Sequence, residues 1–301
     1  MTTITKAKPR KATRTHKRRE VSESTLPVRD DGKLDMTAVL EFSLTAPGHI
    51  SQCYSRFHHY SMLNCMLVMM QTGKLEPIAT FNRWKELDRK VTKGSKALFV
   101  NHPRFAPDID QATGQPKRDD NGKVTMKVVG FAPRATVFQL WQTDGEDLVM
   151  PDVPDWNRDN AMKALDVTEV PFSHPNGNTQ GYSHDREFAI NPVAEYPFKT
   201  MIHEWAHILL GHTAEDYEYH DHRGIAEFQA ESVALLVCSD LGVDQFDASA
   251  SRGYIQNWLS GTDAEFLTED GELAVTDTAV RKIFAVVDEI LTAGRGKGTE
   301  E

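Results

Sequence analysis

Cysteine is scarce in this chain, and long apolar runs are missing from it. The 301 residues include three cysteines, Cys53, Cys65 and Cys238, which are scattered and odd in number. This usage argues against a disulfide framework and is typical of the reducing cytoplasm, where we expect the protein. No apolar run approaches the ~20 residues that cross a bilayer, and no apolar segment follows the basic N-terminal residues. We therefore expect neither a secretory signal nor a membrane partner.

Charge is distributed unevenly along the chain. Residues 1–19 contain eight Lys or Arg residues and no acid, whereas residues 136–301 carry a net charge of −21. This asymmetry indicates two parts with different partners. The sequence predicts a disordered basic arm over residues 1–20, because almost no apolar side chain is present there. Such an arm suits nucleic acid, although a merely solubilising tail explains the same composition.

The N-terminal half predicts a small α+β domain over residues 35–150. A helix with apolar stripes is expected at 54–71, a short helix at 81–87 and a strand at 97–100. Asn121-Gly122 is typical of a tight hairpin turn. Met-rich stripes are usually core, so we assign the stripes of the first helix there.

Basic residues alternate with aromatic residues in this half. Lysines that follow a backbone and rings on which bases stack are typical of single-stranded nucleic-acid binding. We expect single-stranded DNA to contact six residues: Arg83, Trp84, Lys85, Lys90, Lys93 and Lys96. Phe81, Phe99 and Phe105 are interleaved with them. The alternative is that the aromatics are core and the lysines form a solvated face.

The stretch 201–213, MIHEWAHILLGHT, contains the pattern H-E-x-x-H at His203, Glu204 and His207. The i,i+4 spacing places both imidazoles on one face of a helix, where they can share a zinc ion at ~2.1 Å. Glu204 is then the expected catalytic general base. The rest of the helix is almost wholly apolar, and buried histidines and carboxylates need partners, which zinc provides. A structural helix that contains two histidines by chance is therefore disfavoured.

A third metal ligand is predicted on a second helix. The stretch RGIAEFQAESVALLVCSDLG carries Glu227 and Glu231 four residues apart, among small apolar residues that do not form a solvated face. We assign Glu227 as the ligand and Glu231 as the acceptor of the outer N–H of a ligand histidine; the opposite assignment stays open. Two histidines, one glutamate and an open fourth position are typical of catalytic zinc, although manganese or cobalt could occupy the same set.

This arrangement predicts peptide hydrolysis. Zinc lowers the pKa of a water molecule, Glu204 accepts its proton, and the hydroxide attacks a scissile carbonyl. The strand Arg186–Ile190 is the expected edge on which an extended peptide lies. Several residues are candidates for stabilising the oxyanion, with no choice among them: His212, Tyr217, Tyr219, His220, His222 and Tyr254.

The chain resembles the ArdC-type antirestriction proteins of plasmids, phages and other mobile elements. The resemblance rests on FNRWKELDRKVTKGSKALFV and ATVFQLWQTDG in the N-terminal half, and on GYSHDREFAINPVAEYPFKTMIHEWAHILLGH, EFQAESVALLV and SRGYIQNWL in the C-terminal half. It implies an N-terminal single-stranded-DNA-binding domain and, over residues 156–295, a zincin-like metallopeptidase domain of the gluzincin type. The EFQAE stretch is also similar to ImmA/IrrE-type peptidases that cleave phage repressors, which supports Glu227 as a ligand.

The sequence thus predicts an α+β protein that binds single-stranded DNA and hydrolyses an unidentified protein substrate with zinc. Two alternatives stay open. One is a DNA-binding antirestriction protein in which the metal site is structural. The other is a regulatory protease that cleaves a repressor, for which the basic N-terminal half would be unnecessary.

Overall fold

The computed structural model describes most of the chain, in eight segments: residues 26–45, 60–74, 76–147, 155–174, 179–214, 219–243, 248–260 and 275–295. The basic arm, Cys53 and Tyr217 lie outside the described residues, and the side chains of residues 219–223 are not described either. Helices and strands are mixed along the chain, so the predicted α+β class is confirmed at that level.

Within the described residues, two helices precede the first sheet. They are α1 (Met36–Thr45) and α2 (Met62–Thr72). α2 begins at Met62, later than the predicted residue 54. The hydroxyl of Ser61 caps this helix by accepting a hydrogen bond from the Asn64 N–H. It ends at Gly73, whose φ of 66° lies in the left-handed region that favours glycine. Residues 54–59 of the predicted helix lie outside the described part of the chain.

A three-stranded antiparallel sheet and a two-stranded ribbon follow. The elements are β1 (Ile78–Thr80), α3 (Phe81–Glu86), β2 (Lys90–Val91), β3 (Leu98–Pro107), β4 (Met126–Gln139) and β5 (Thr143–Asp144), with a 3₁₀ turn at Leu140–Gln142. The sheet has the order β1-β4-β3, and β2 pairs with β5 in the ribbon. β3 and β4 form a long hairpin whose pairing reaches from Leu98–Val137 to Pro107–Met126. Its outer part is exposed on both strands.

The C-terminal half places a small sheet against a group of helices. The elements are α4 (Arg158–Leu165), β6 (Thr168–Glu169), β7 (Gly181–His184), β8 (Glu187–Ile190), α5 (Pro197–Leu210), α6 (Tyr219–Asp240), α7 (Ala248–Ser260) and α8 (Asp277–Arg295). The strand order is β6-β8-β7, with β6 parallel and β7 antiparallel to β8.

The predicted peptide-binding edge at 186–190 is wrong. β8 occupies the middle of its sheet, and both Phe188 and Ala189 are fully buried. The parallel pairing with β6 covers the side of β8 that an isolated hairpin would leave free. Among the described residues, the edge strands of this sheet are β6 and β7, each of which has a strand neighbour on one side only.

One hydrophobic core joins the beginning and the end of the chain. Side chains of α1 and α2, including Met36, Leu40 and Met66, belong to the same buried cluster as Trp205 of α5 and Ile290 of α8. The predicted core role of the Met-rich stripe is therefore confirmed. A polar contact supports this packing, because the Met62 N–H donates a hydrogen bond to Asp288 at 2.7 Å. Within the described residues, no helix is long and apolar enough to cross a bilayer.

Candidate metal centre

α5 presents the two histidines of the H-E-x-x-H pattern on one face. Pro197 occupies the first turn of this helix, where its missing N–H costs no hydrogen bond. Gly211 ends the helix with a φ of 82°. His203 and His207 lie one turn apart, and their Nε2 atoms are 3.1 Å from each other. His207 and Glu204 are buried, while His203 is partly exposed.

α6 packs against α5 and brings Glu227 to the two imidazoles. The Glu227 carboxylate oxygens lie 3.3 Å from His203 Nε2 and 3.7 Å from His207 Nε2. Ligand atoms at ~2.1 Å from a tetrahedral zinc ion are ~3.4 Å apart. The separations of 3.1, 3.3 and 3.7 Å surround that value, so the three side chains fit a divalent ion of this kind. Together they form a possible metal site whose ligand atoms lie within 4.8 Å of one another.

Glu231 lies on the outer side of His203. Its Oε2 is 3.3 Å from His203 Nδ1, and its Oε1 accepts a hydrogen bond from Lys199 Nζ at 2.7 Å. This geometry agrees with the assignment of Glu227 to the metal and of Glu231 to the outer N–H. Burial raises the pKa of Glu231, but the hydrogen bond from His203 and the ammonium of Lys199 outweigh it and lower that pKa to about 2.

The two histidines differ in protonation when no metal is bound. Burial lowers the pKa of His203, but hydrogen bonds to Glu227 and Glu231 outweigh it and raise that pKa to about 9. Burial and the neighbouring positive His203 lower the pKa of His207 to about 3. At neutral pH, therefore, the His203 ring is protonated and positively charged between its carboxylate partners, while the His207 ring is neutral.

Glu204 lies on the β7 side of the metal ligands. The Ser183 hydroxyl on β7 donates a hydrogen bond to Glu204 Oε2 at 2.7 Å. Burial raises the pKa of Glu204, and the positive His203 and the Ser183 hydroxyl partly offset this. A carboxylate with a raised pKa is suited to accept and return a proton near neutral pH.

β7 approaches α5 closely because residue 181 is glycine. A Cβ atom at Gly181 would lie 2.8 Å from Thr200 Cγ2 and 3.2 Å from Glu204 Cγ. Any larger side chain would push the strand away from the helix. Gly181 therefore sets the distance between the edge strand and the candidate general base.

A cavity of about 680 Å³ lies between β7 and the metal ligands. Residues 180–184 form one wall, and α5 and α6 form the other. Tyr182, which sequence reasoning did not single out, lines the cavity and packs its ring 5.6 Å from that of Phe172. No pattern in the sequence identifies Tyr182 as a site residue, because its place at the cavity depends on the packing of β7 against α5.

The structure describes the side chains of two of the six candidates for stabilising the oxyanion, His212 and Tyr254. His212 lines the cavity but is buried, and its Nδ1 lies 3.1 Å from Nδ1 of His207. Tyr254 lies on α7 and is not among the described residues that line the cavity. Tyr217 and the side chains of Tyr219, His220 and His222 lie outside the described part.

The predicted DNA-contacting residues do not share one role. Trp84 is fully buried (0% exposed), and its indole N–H donates to the Phe138 carbonyl, so its predicted contact with a base is wrong. The ring packs beneath the sheet because that carbonyl satisfies its one polar atom. Arg83 is half-buried and pairs with Glu86 at 2.9 Å. Four lysines are exposed: Lys85, Lys90, Lys93 and Lys96.

An exposed apolar face lies on the hairpin, and of its residues the sequence analysis named only Phe105. Phe105 pairs with Val128, Pro107 with Met126 and Pro103 with Phe131, so these side chains lie on one face of the β3–β4 ribbon. We call Phe105, Met126, Val128 and Phe131, all at least half exposed, the hairpin apolar face. The sequence feature that corresponds to this face is the apolar run VVGF at residues 128–131, which follows the Asn121-Gly122 turn and is exposed rather than part of a core.

Comparison with known proteins supports the relationship predicted from the sequence. Residues 41–138 match the family model of the N-terminal domain of the anti-restriction factor ArdC, which confirms the predicted resemblance over that segment. An uncharacterized protein of Bacillus anthracis is 26% identical over 257 residues. The match covers 70% of this chain and 43% of that protein, so this chain spans less than half of the relative's length.

Two solved structures of the antirestriction ArdC protein from plasmid R388 are also similar. The metal-free structure is 20% identical with a TM-score of 0.47, covering 86% of this chain and 95% of that one. The Mn(II)-bound structure is 17% identical with the same TM-score, covering 87% and 98%.

Proposed function

We propose that this chain, an ArdC-type protein by the family of its N-terminal domain, is an antirestriction factor that binds single-stranded DNA and hydrolyses peptide bonds at a divalent-metal site. One observation carries the peptidase proposal. Three ligand atoms lie at tetrahedral spacing beside a buried carboxylate, Glu204, that ligates nothing itself in this arrangement. A purely structural metal site has no need of such a carboxylate.

Zinc is the metal we propose, because two imidazoles and one carboxylate are its usual catalytic ligands. When bound, it would act as a Lewis acid and lower the pKa of a water molecule. The chain's own part is to hold that ion through His203, His207 and Glu227, and to move protons through Glu204. The raised pKa of Glu204 suits transfer of a proton from the water to the leaving amine.

The substrate we propose is an extended peptide segment lying along β7. The edge of β7 is open within the described residues and forms a wall of the cavity, so its N–H and C=O groups can pair with a peptide backbone. A peptide held there passes Ser183, which is hydrogen-bonded to Glu204. The strand thus aligns the substrate with the general base through a single residue.

The test of this proposal is a cleavage assay with the zinc-loaded full-length protein. The wild type, Glu204→Gln and a matched control, Glu289→Gln, are incubated with casein, with and without single-stranded DNA. Glu289 is exposed on α8, so its substitution makes the same change of charge away from the site. We expect fragments from the wild type and the control but not from Glu204→Gln. Equal cleavage by all three, or none by any at high enzyme concentration, would contradict peptidase activity and favour a non-catalytic antirestriction factor.

For DNA, the hairpin apolar face is the surface we propose. Phe105 is 58% exposed, and Arg104, Lys123 and Lys127 belong to the same hairpin, so rings for stacking and cations for phosphates occur together. The guanidinium of Arg281 on α8 lies 5.9 Å from the centre of the Phe131 ring and adds a further cation beside this face.

A fluorescence-anisotropy titration with labelled single-stranded DNA tests this location. Loss of one stacked base costs ~1–3 kcal/mol, so Phe105→Ala should weaken binding about tenfold. Phe81→Ala is the matched control, because Phe81 is equally exposed (57%) but lies on α3, the helix that carries Lys85. If Phe81→Ala weakens binding and Phe105→Ala does not, DNA contacts the region of the four exposed lysines instead, which are Lys85, Lys90, Lys93 and Lys96.

A further inference from the structure

The two metal-ligand histidines have different outer partners. His203 Nδ1 faces the carboxylate of Glu231, a usual outer partner for a ligand histidine. His207 Nδ1 instead faces another imidazole, with His212 Nδ1 at 3.1 Å. Two neutral imidazole nitrogens make a hydrogen bond only if one carries hydrogen and the other a lone pair. Which of the two donates determines which nitrogen of His207 is left for a metal.

His212 begins a chain of polar contacts that crosses to α8. The left-handed Gly211 turns the backbone at the end of α5, and the His212 N–H donates to the His207 carbonyl at 2.9 Å. His212 Nε2 lies 3.2 Å from Gln229 Oε1, and Gln229 Nε2 donates to the Ala279 carbonyl at 3.2 Å. His207, His212 and Gln229 are all buried.

The last member of this chain fixes the direction of every hydrogen bond in it. A backbone carbonyl only accepts, so the Gln229 amide nitrogen must face Ala279 and its oxygen must face His212. That oxygen accepts, so His212 carries its hydrogen on Nε2. A neutral His212 then has a lone pair on Nδ1, and His207 must donate from its own Nδ1.

We propose that His212 is a positioning residue that, with Gln229 and the Ala279 carbonyl, holds His207 in the Nδ1–H tautomer and so presents the lone pair of Nε2 to the metal. This inference rests on the proposed metal site and adds to it a reason for the burial of His212 after the turn at Gly211. It also explains the burial of Gln229, whose amide has no other evident task among the apolar residues of α6. The two ligand histidines are thus oriented differently. His203 is oriented by the Glu231 carboxylate, and His207 by the His212 imidazole and the Gln229 amide.

Nitrogen-15 NMR of the metal-free, histidine-labelled protein reads the tautomer directly. We expect His207 to carry its hydrogen on Nδ1 in the wild type and in His212→Asn, because the Asn side-chain oxygen can replace the His212 Nδ1 as acceptor. In His212→Leu the acceptor is lost, and we expect His207 to move its hydrogen to Nε2, the tautomer that free histidine favours. If His212→Leu does not fold, Gln229→Leu is the second variant, in which the hydrogen on His212 is no longer fixed and His207 should become a mixture of tautomers.

Titration of the same proteins with zinc by calorimetry gives a second readout. Losing an outer partner of a metal ligand typically costs 10–100-fold in affinity, so His212→Leu should bind zinc at least about tenfold more weakly. His212→Asn should stay within a few-fold of the wild type, as should His174→Leu, a substitution at an exposed histidine. Hydrogen on Nε2 of His207 in the wild type, or equal losses in the Asn and Leu variants, would overturn the inference. Neither readout uses peptidase activity, so an inactive protein with these tautomers and affinities would refute catalysis alone.

Discussion

Metal binding to this site should release one proton and should therefore strengthen steeply with pH. Among the ligands, His203 has a pKa of about 9 in the metal-free protein, whereas His207 has a pKa of about 3 and is already neutral. A metal ion binds neutral imidazole, so it must displace the His203 proton. With a pKa of about 9, about 1% of His203 is neutral at pH 7, which weakens the apparent affinity about 100-fold relative to the fully deprotonated site.

Calorimetric titration of the metal-free protein with Mn²⁺ between pH 6.5 and pH 8.5 measures this effect. The dissociation constant should fall about tenfold for each pH unit, which corresponds to one proton released per ion. The same titration in two buffers with different ionisation enthalpies counts the proton independently. A dissociation constant that stays level over this range, or a release of two protons, would refute the reasoning.

Glu231→Gln is the internal control for this prediction. Glu231 is one of the three carboxylates that raise the pKa of His203, with Glu227 and Glu204, and the amide keeps an oxygen that can accept the outer N–H. The steep region should therefore move to lower pH in the variant, with the slope retained. An unchanged profile would show that the proton displaced by the metal is not the one held between His203 and Glu231.

Three further predictions concern other parts of the molecule. Gly181→Ala should lower peptidase turnover while zinc affinity stays within a few-fold, because the added Cβ displaces β7 from Glu204; an active variant would contradict the close approach. Trp84→Ala should cost about 3–5 kcal/mol in denaturant unfolding, and a loss below about 1 kcal/mol would contradict its burial. Burial and the charge of Asp240 raise the pKa of Asp288 to about 7, against a partial offset from the Met62 N–H. The stability contributed by this carboxyl is therefore present below about pH 4 and lost as pH rises to about 7, so Asp288→Asn should be more stable than the wild type at pH 8 and not at pH 4 in thermal unfolding.

The local part of the metal centre could be predicted from the sequence. The i,i+4 spacing of His203 and His207, and of Glu227 and Glu231, defines two helix faces, and burial of acids and imidazoles requires that these faces meet. Nothing more than helical periodicity is needed for that step. The structure then separates Glu227 from Glu231 by which nitrogen of His203 each one approaches.

The rest of the site depends on contacts that periodicity does not encode. The role of His212 arises from a chain reversal at Gly211 and from side chains on α6 and α8. The central position of β8 arises from its parallel pairing with β6, a strand that precedes β7 in the chain. The burial of Trp84 could not be predicted from the basic residues beside it in the sequence. It depends on the carbonyl of Phe138, which is distant in sequence and accepts the hydrogen bond of the indole N–H inside the fold.

The core shared by the two ends of the chain limits how this protein can be divided. α1 and α2 pack against α8 and belong to the same buried apolar cluster as Trp205 of α5 and Ile290 of α8. A fragment that begins after residue 155 would expose that surface to water and would be prone to aggregate rather than to display an isolated metal site. Loss of the first helices by truncation should therefore disrupt the fold around the candidate metal centre as well as the N-terminal half, so the proposed hydrolysis could not be studied in such a fragment.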